Sequence, residues 1–469
     1  MKSLVLIAGA TGYVGGELLK SLLDAGCAVR CLARRPEALR AKAFPGLEVV
    51  EGDVLNSESI RTAMAGVGLA GVCLSTAGLS QIRTGSSHPD PIHTYLQTLV
   101  DKHTLAGAVT LVATKDGIAE LQAAGYRDLT SKSPMETQDL FWIASTSKPM
   151  TATALMMLVD EGKVNVNDPV EKYLPEFRGQ PVKGKRQESS GAGQRADAQK
   201  DQQLVPADHP ILVREILSHT SGLPFKSSAQ PGALDLLPLK DAVHSFAAEP
   251  LNFQPNTDYA YSNEGLNTAA RMIEVVTGIP YEQFMQERLF TPLGMKDTTF
   301  WPTPEQQKRI AKTYKVDEKT KELGEVPINQ LTYPLDDHVH RFPMPAGGLF
   351  STAADVARFA RMILNGGELD GKRYLSARSL HVMTSEQNGG LGGQSYGFGW
   401  SVSKTGFGHG GAFRNDLEID QAKGRILIFM VQQDGPWGSA DGDAMMPALQ
   451  RLADEIVGGS AASGAPSKK

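Results

Sequence analysis

One short stretch, Phe141-Trp142-Ile143-Ala144-Ser145-Thr146-Ser147-Lys148-Pro149-Met150, constrains everything after about residue 90. Its apolar run (Phe141 to Ala144) delivers a serine to the start of a helical pattern that continues to about Glu161. Proline is tolerated in the first turn of a helix and not deeper, so Pro149 requires the helix to begin close to Ser145. Ser145 and Lys148, three apart, then share one helix face and their polar ends can meet. A serine hydroxyl needs a partner to take its proton, and a lysine one turn away near a helix N-terminus can be that partner or position it. Taken alone, Ser-x-x-Lys more often marks an N-cap serine beside a solvated lysine, so the rest of the chain has to decide.

The chain changes character along its length. Its 469 residues suffice for two or three domains. The three cysteines, Cys27, Cys31 and Cys73, all precede residue 80, whereas all ten histidines follow residue 87. This asymmetry suggests two segments and gives no disulfide framework. With 47 basic and 52 acidic residues and no basic stripe, nucleic-acid binding is not suggested. No stretch approaches the ~20 apolar residues that span a bilayer. The apolar N-terminus breaks into glycines within about seven residues, so it reads as a buried strand rather than a signal peptide, and a cytoplasmic location is expected.

Residues 4–8 form an apolar strand running into Gly9-Ala10-Thr11-Gly12-Tyr13-Val14-Gly15 and a helical pattern closed by Gly26. Strands at 28–32, 48–50 and 69–74 alternate with helical stretches, the front of a doubly wound parallel sheet. This segment resembles the atypical short-chain dehydrogenase and NAD(P)-binding families through GATGYVG, the pair Arg34-Arg35 and Gly52-Asp53. The resemblance implies cofactor contacts at Gly9, Gly12 and Gly15, with Arg34 placed to read a 2′-phosphate. It covers only residues 1–80, and no Tyr-x-x-x-Lys occurs in the first 100 residues. Half of such a fold offers half a binding crevice. The preferred reading is therefore a partial Rossmann remnant that binds no dinucleotide tightly, with NADP as the alternative ligand.

Residues 81–91 read as a linker. A helix (92–102) and a hairpin (107–114 and 118–125) precede the central stretch. Residues 178–208 carry almost no large apolar side chains and are expected to be a mobile insertion. A helix is expected over 266–277, strands over 397–402, 413–420 and 425–432, a glycine-rich turn over 406–411, a covering helix over 443–457, and a disordered tail over 458–469.

Two further polar features follow the central stretch: Tyr261-Ser262-Asn263 and His409-Gly410-Gly411. Alone, Tyr261 reads as a packing tyrosine, Asn263 as a turn former and His409 as a structural histidine. With Ser145-x-x-Lys148 they fall in the order used by penicillin-recognising serine enzymes. Residues 92–457 resemble the group of class C β-lactamases, D,D-carboxypeptidases and family VIII carboxylesterases. Leu217-Ser218-His219-Thr220-Ser221-Gly222-Leu223, Pro292-Leu293-Gly294-Met295-Lys296-Asp297-Thr298 and Pro345-Ala346-Gly347-Gly348-Leu349-Phe350-Ser351 add to the likeness. The resemblance implies an α+β domain, an antiparallel sheet flanked by helices plus a helical subdomain.

It also implies site roles. Ser145 is the acylated nucleophile, and Lys148 relays a proton and supplies charge to Tyr261. Tyr261 is the general base, as a phenolate or through a hydrogen-bonded relay. Asn263 bonds Lys148 or the substrate, and the N–H groups of Ser145 and Ala412 form the oxyanion hole. His219 reads as a helix end. Asp336, Asp337, His338 and His340 lack a fixed partner set, so no metal is expected, and hydrolysis needs no cofactor. His409 departs from the lysine of the β-lactamases. A histidine is neutral over much of the physiological range, so anchoring of an anionic substrate is weakened. Small ester, D-amino-acyl amide or peptide substrates are expected ahead of β-lactams. The alternatives are a β-lactamase or penicillin-binding protein, and a non-catalytic NADP-responsive binding protein.

Overall fold

The computed structural model of the chain describes residues 4–8, 19, 22–23, 27–33, 40, 47–51, 63, 69–72, 90–184, 203–230 and 232–463. The chain divides into two compact units, Met1–Leu79 and Ser80–Lys469.

In the first unit, β1 (Leu4–Ala8), β2 (Ala28–Ala33), β3 (Leu47–Glu51) and β4 (Leu69–Val72) form a parallel sheet in the order β3-β2-β1-β4. The order reverses direction at β1, as in the front half of a doubly wound fold. Val29 and Cys31 are fully buried in it, with Val5 and Leu19 beside them. Gly9, Gly12, Gly15 and Arg34, the positions implied for a dinucleotide, lie outside the described residues, as do 81–89 of the linker.

The second unit opens with α1 (Pro91–Asp101), capped by Asp90, whose carboxylate accepts the N–H groups of Ile92 and His93. Its main sheet is antiparallel and seven-stranded. In chain order the strands are β5 (Gly107–Ala113), β6 (Ile118–Asp128), β7 (Ser133–Pro134), β8 (Ser401–Val402), β9 (Gly406–Gly410), β10 (Asp416–Asp420) and β11 (Arg425–Met430). They lie in the order β8-β9-β10-β11-β5-β6-β7, so the C-terminal strands complete a sheet begun 300 residues earlier. Alternation sorts the strands onto two faces. Val109, Leu111, Ile426 and Ile428 join the large core, while Val112, Leu427 and Phe429 pack with Leu96 of α1 and Leu449 of the last helix. The large core also holds α2 (Ser147–Asp160), α3 (Asn263–Thr277) and α4 (Ala353–Leu364).

Four expectations are corrected here. The glycine-rich segment expected as a turn is strand β9, because Gly406 and Gly408 lie so close to the carbonyls of Ile419 and Leu417 that a Cβ would collide with them. The strand expected over 397–402 is reduced to Ser401–Val402. The last helix, α5 (Met445–Ser463), continues through 458–463 of the segment expected as a disordered tail, since extending a nucleated helix costs far less than starting one; residues 464–469 lie outside the described residues. The insertion 178–208 is anchored at both ends, where Val182–Lys183 pairs antiparallel with Leu204–Val205; residues 185–202 lie outside the described residues.

Candidate active site

Phe141–Trp142 pairs with Phe350–Ser351 and ends in a single 3₁₀ turn, Ala144–Thr146, before α2 begins at Ser147. Ala144 occupies the left-handed region (φ 45°), a strained conformation for an alanine, directly before the serine. Pro149 falls in the first turn of α2, as its chemistry requires. From Phe141 to Met150 Ser145 is the one residue that is not buried. The turn therefore presents its hydroxyl while every neighbour holds the backbone in place.

Lys148 is completely buried. Its Nζ lies 3.0 Å from Ser145 Oγ and donates to Asn263 Oδ1 at 2.7 Å and to the carbonyl of Ala346 at 2.8 Å. Burial holds its pKa well below the usual lysine value. Asn263 reaches it from the first turn of α3, whose cap is Ser262, with the hydroxyl accepting the N–H of Gly265. Ala346 is fixed by Asn267, one turn along α3 from Asn263, whose Oδ1 accepts the Ala346 N–H at 3.0 Å. Thr151, one turn along α2 from Lys148, donates to the carbonyl of Pro345 at 2.8 Å. Two helices thus grip the 345–346 segment with side chains at helical spacing.

Tyr261 precedes the α3 cap and is half-buried, with Lys148 Nζ 4.6 Å from its ring centroid. Burial pushes its phenol up; a hydrogen bond with the Ser145 side chain works the other way, and Tyr259 adds to the rise. Of the two roles open to Tyr261 from the sequence, burial disfavours the phenolate and leaves the relay. The Lys148 amine faces the ring, and its burial favours the neutral form, which counts against the expected role of Lys148 as a charge that ionises Tyr261.

The edge strand β9 borders the serine. Thr146 Oγ1 donates to the carbonyl of His409 at 3.2 Å, and Asn415 Nδ2 donates to the carbonyl of Trp142 at 2.9 Å. Gly411 lies against the same turn, and a Cβ there would sit 2.6 Å from the Ile143 carbonyl oxygen, so only glycine permits the approach. Among the described residues no backbone carbonyl accepts from the N–H of Ser145 or of Ala412. Both remain available as oxyanion donors.

His409 stands beside the site with its ring turned inward. Nδ1 contacts the carbonyl of Gly410 at 2.8 Å and must donate to it, so Nε2 accepts from the Tyr396 hydroxyl at 3.0 Å. Burial lowers its pKa to about 3 against the opposing Gly410 bond. With both nitrogens occupied, the ring presents no free nitrogen to a substrate. The reading of the sequence missed the Ala346 carbonyl, Asn267, Tyr396 and His219. The i, i+4 pair Asn263 and Asn267 was a visible signal for the second; the others depend on contacts between distant segments.

Residues 92–450 match a family model described as Beta-lactamase, and residues 9–139 match one described as NAD(P)H-binding. The latter extends beyond residue 80, but residues 107–128 belong to the antiparallel sheet of the second unit, where parallel dinucleotide-type pairing has ended. Protein Rv1367c of Mycobacterium tuberculosis (strain ATCC 25618 / H37Rv) is 31% identical over 392 residues, covering 76% of this chain and 94% of the relative. Penicillin-binding protein 4 of Amycolatopsis lactamdurans is 30% identical over 312 residues, covering 66% and 72%. Among solved structures, EstCE1, a hydrolase with promiscuous acyltransferase activity, superposes with a TM-score of 0.61 at 20% identity, covering 78% of this chain and 97% of that one.

Proposed function

Because the chain belongs to the β-lactamase family through residues 92–450, we propose that it is an acyl-serine hydrolase of uncharged esters or D-amino-acyl amides, acting through a Ser145 acyl-enzyme. The observation that carries this reading is the set of contacts at Lys148 Nζ. A neutral amine has two hydrogens and one lone pair. Asn263 Oδ1 and the Ala346 carbonyl take the two hydrogens, and the third direction is occupied by Ser145 Oγ. Burial favours that neutral form. The lone pair then accepts the Ser145 hydroxyl proton as Oγ attacks the acyl carbon.

The carbonyl oxygen gains charge against the N–H groups of Ser145 and Ala412. As the tetrahedral adduct collapses, the leaving oxygen or nitrogen takes a proton from Tyr261, whose raised pKa keeps it protonated, and the proton on Lys148 restores the phenol. Water then attacks the acyl-enzyme by the same steps in reverse order, releasing the acid and free Ser145. No cofactor takes part.

The neutral, fully bonded His409 leaves β9 without a cation for an anionic group, which supports esters and amides over β-lactams. The test is mass spectrometry after treatment with a fluorophosphonate. One adduct on Ser145, absent in Ser145→Ala, is expected; an unlabelled wild-type protein overturns the reading. A nitrocefin rate comparable to that on p-nitrophenyl butyrate would overturn the substrate preference. For the first unit we propose no tight dinucleotide binding, and a micromolar NADPH affinity by calorimetry would refute that.

A further inference from the structure

We propose that His219 is the residue that positions Tyr261 for proton transfer, an inference that rests on the hydrolase reading above. His219 follows a short helix, Val213–Leu217, in the left-handed region (φ 62°), which is uncommon outside glycine but is one that histidine, asparagine and aspartate enter more readily than other residues. In that conformation it takes both peptide N–H groups that flank Tyr261. Its backbone carbonyl accepts the N–H of Ala260 at 3.0 Å, and its Nδ1 accepts the N–H of Ser262 at 3.2 Å. The ring also packs on the tyrosine itself, with centroids 4.6 Å apart. Tyr396 and Tyr259 close the other sides at 4.6 Å and 5.9 Å. One residue therefore sets the backbone on either side of Tyr261 and the tilt of its ring.

Two further features separate this arrangement from ordinary packing. Since Nδ1 accepts, the neutral ring carries its hydrogen on Nε2, and Nε2 is buried with no partner among the described residues. Buried polar groups are nearly always paired, so the orphaned N–H is unfavourable for stability alone. It is consistent with a constraint imposed by function. Burial also lowers the ring's pKa, which favours the neutral form whose Nδ1 is an acceptor.

The test compares His219→Leu with His219→Asn. Leucine removes the acceptor for Ser262. Asparagine tolerates the left-handed conformation and carries Oδ1 on Cγ, the same number of bonds from the backbone as Nδ1. Fluorophosphonate acylation rates, kcat and KM on p-nitrophenyl butyrate, and Tm are measured on the full chain. A misplaced proton-transfer group loses about 100-fold in kcat, in line with what such groups contribute. We expect that loss for leucine, with KM within about twofold, and recovery to within about fivefold for asparagine. Should the leucine variant not fold, His219→Gln replaces it, since its acceptor is one bond further out, and the same loss is expected.

The proposal is overturned if wild type acylates and the leucine or glutamine variant acylates as fast. It is equally overturned if activity merely follows Tm across the variants. Wild-type protein that is not labelled on Ser145 removes the hydrolase reading itself, and this role with it.

Discussion

Replacing Asn263 by leucine tests the assignment of Lys148 as a neutral proton acceptor. The side chain is nearly isosteric, and its Oδ1 is one of two acceptors that hold the amine, at 2.7 Å in a buried setting. Leaving a buried donor unsatisfied costs ~1–3 kcal/mol, which corresponds to roughly a 5- to 150-fold loss in kcat/KM. The ionisation shifts as well. A hydrogen bond to a charged donor contributes about 1 kcal/mol more than one to a neutral donor, so its removal disfavours the ammonium more than the amine. The Lys148 pKa, already lowered by burial, falls further. If catalysis needs the neutral amine, activity rises with pH as Lys148 loses its proton, and this acid limb moves to lower pH in the variant. The kcat/KM of p-nitrophenyl butyrate hydrolysis between about pH 4 and pH 10 reads both effects. An acid limb that stays in place, or moves upward, would show that Lys148 does not act as the amine held by Asn263.

Three other outcomes follow from the same geometry. The alkaline limb should lie above the ordinary tyrosine value of about 10, because Tyr261 must keep its proton and burial raises its pKa; a fall near pH 8 in the kcat profile would exclude that role. Gly411→Ala should lower kcat by about 10²–10³-fold, as the new Cβ meets the Ile143 carbonyl and pushes the Ala412 N–H out of line; single-turnover acylation measures this. Arg341→Met should destabilise the second unit by ~3–5 kcal/mol, since it strands Asp235 from a 2.7 Å ion pair with both side chains buried. Urea denaturation of Asp235→Leu with Arg341→Met should recover much of that loss, and failure to recover would mean the pair is not coupled.

How far the site could be read from the sequence depended on distance along the chain. The Ser145–Lys148 contact follows from three-residue spacing on a helix and from Pro149 requiring an early start. The remaining partners of Lys148, Asn263 and Ala346, come from 115 and 198 residues away, and only the family resemblance pointed to the first. His219 looked like a helix end, and its backbone is one, but its ring belongs to Tyr261. For His409 the residue type implied a weak anion anchor, whereas the direction of its ring was set by Tyr396, which carried no signal.

Local chemistry in the chain by itself determined where helices start, which residues alternate across the sheet, and that a serine and a lysine meet at the start of a helix. These depend on spacing within a few residues. Tertiary structure decided the protonation states on which the mechanism turns. Burial is the sum of contacts from many separate elements, and it is burial that lowers the pKa of Lys148 and His409 and raises that of Tyr261.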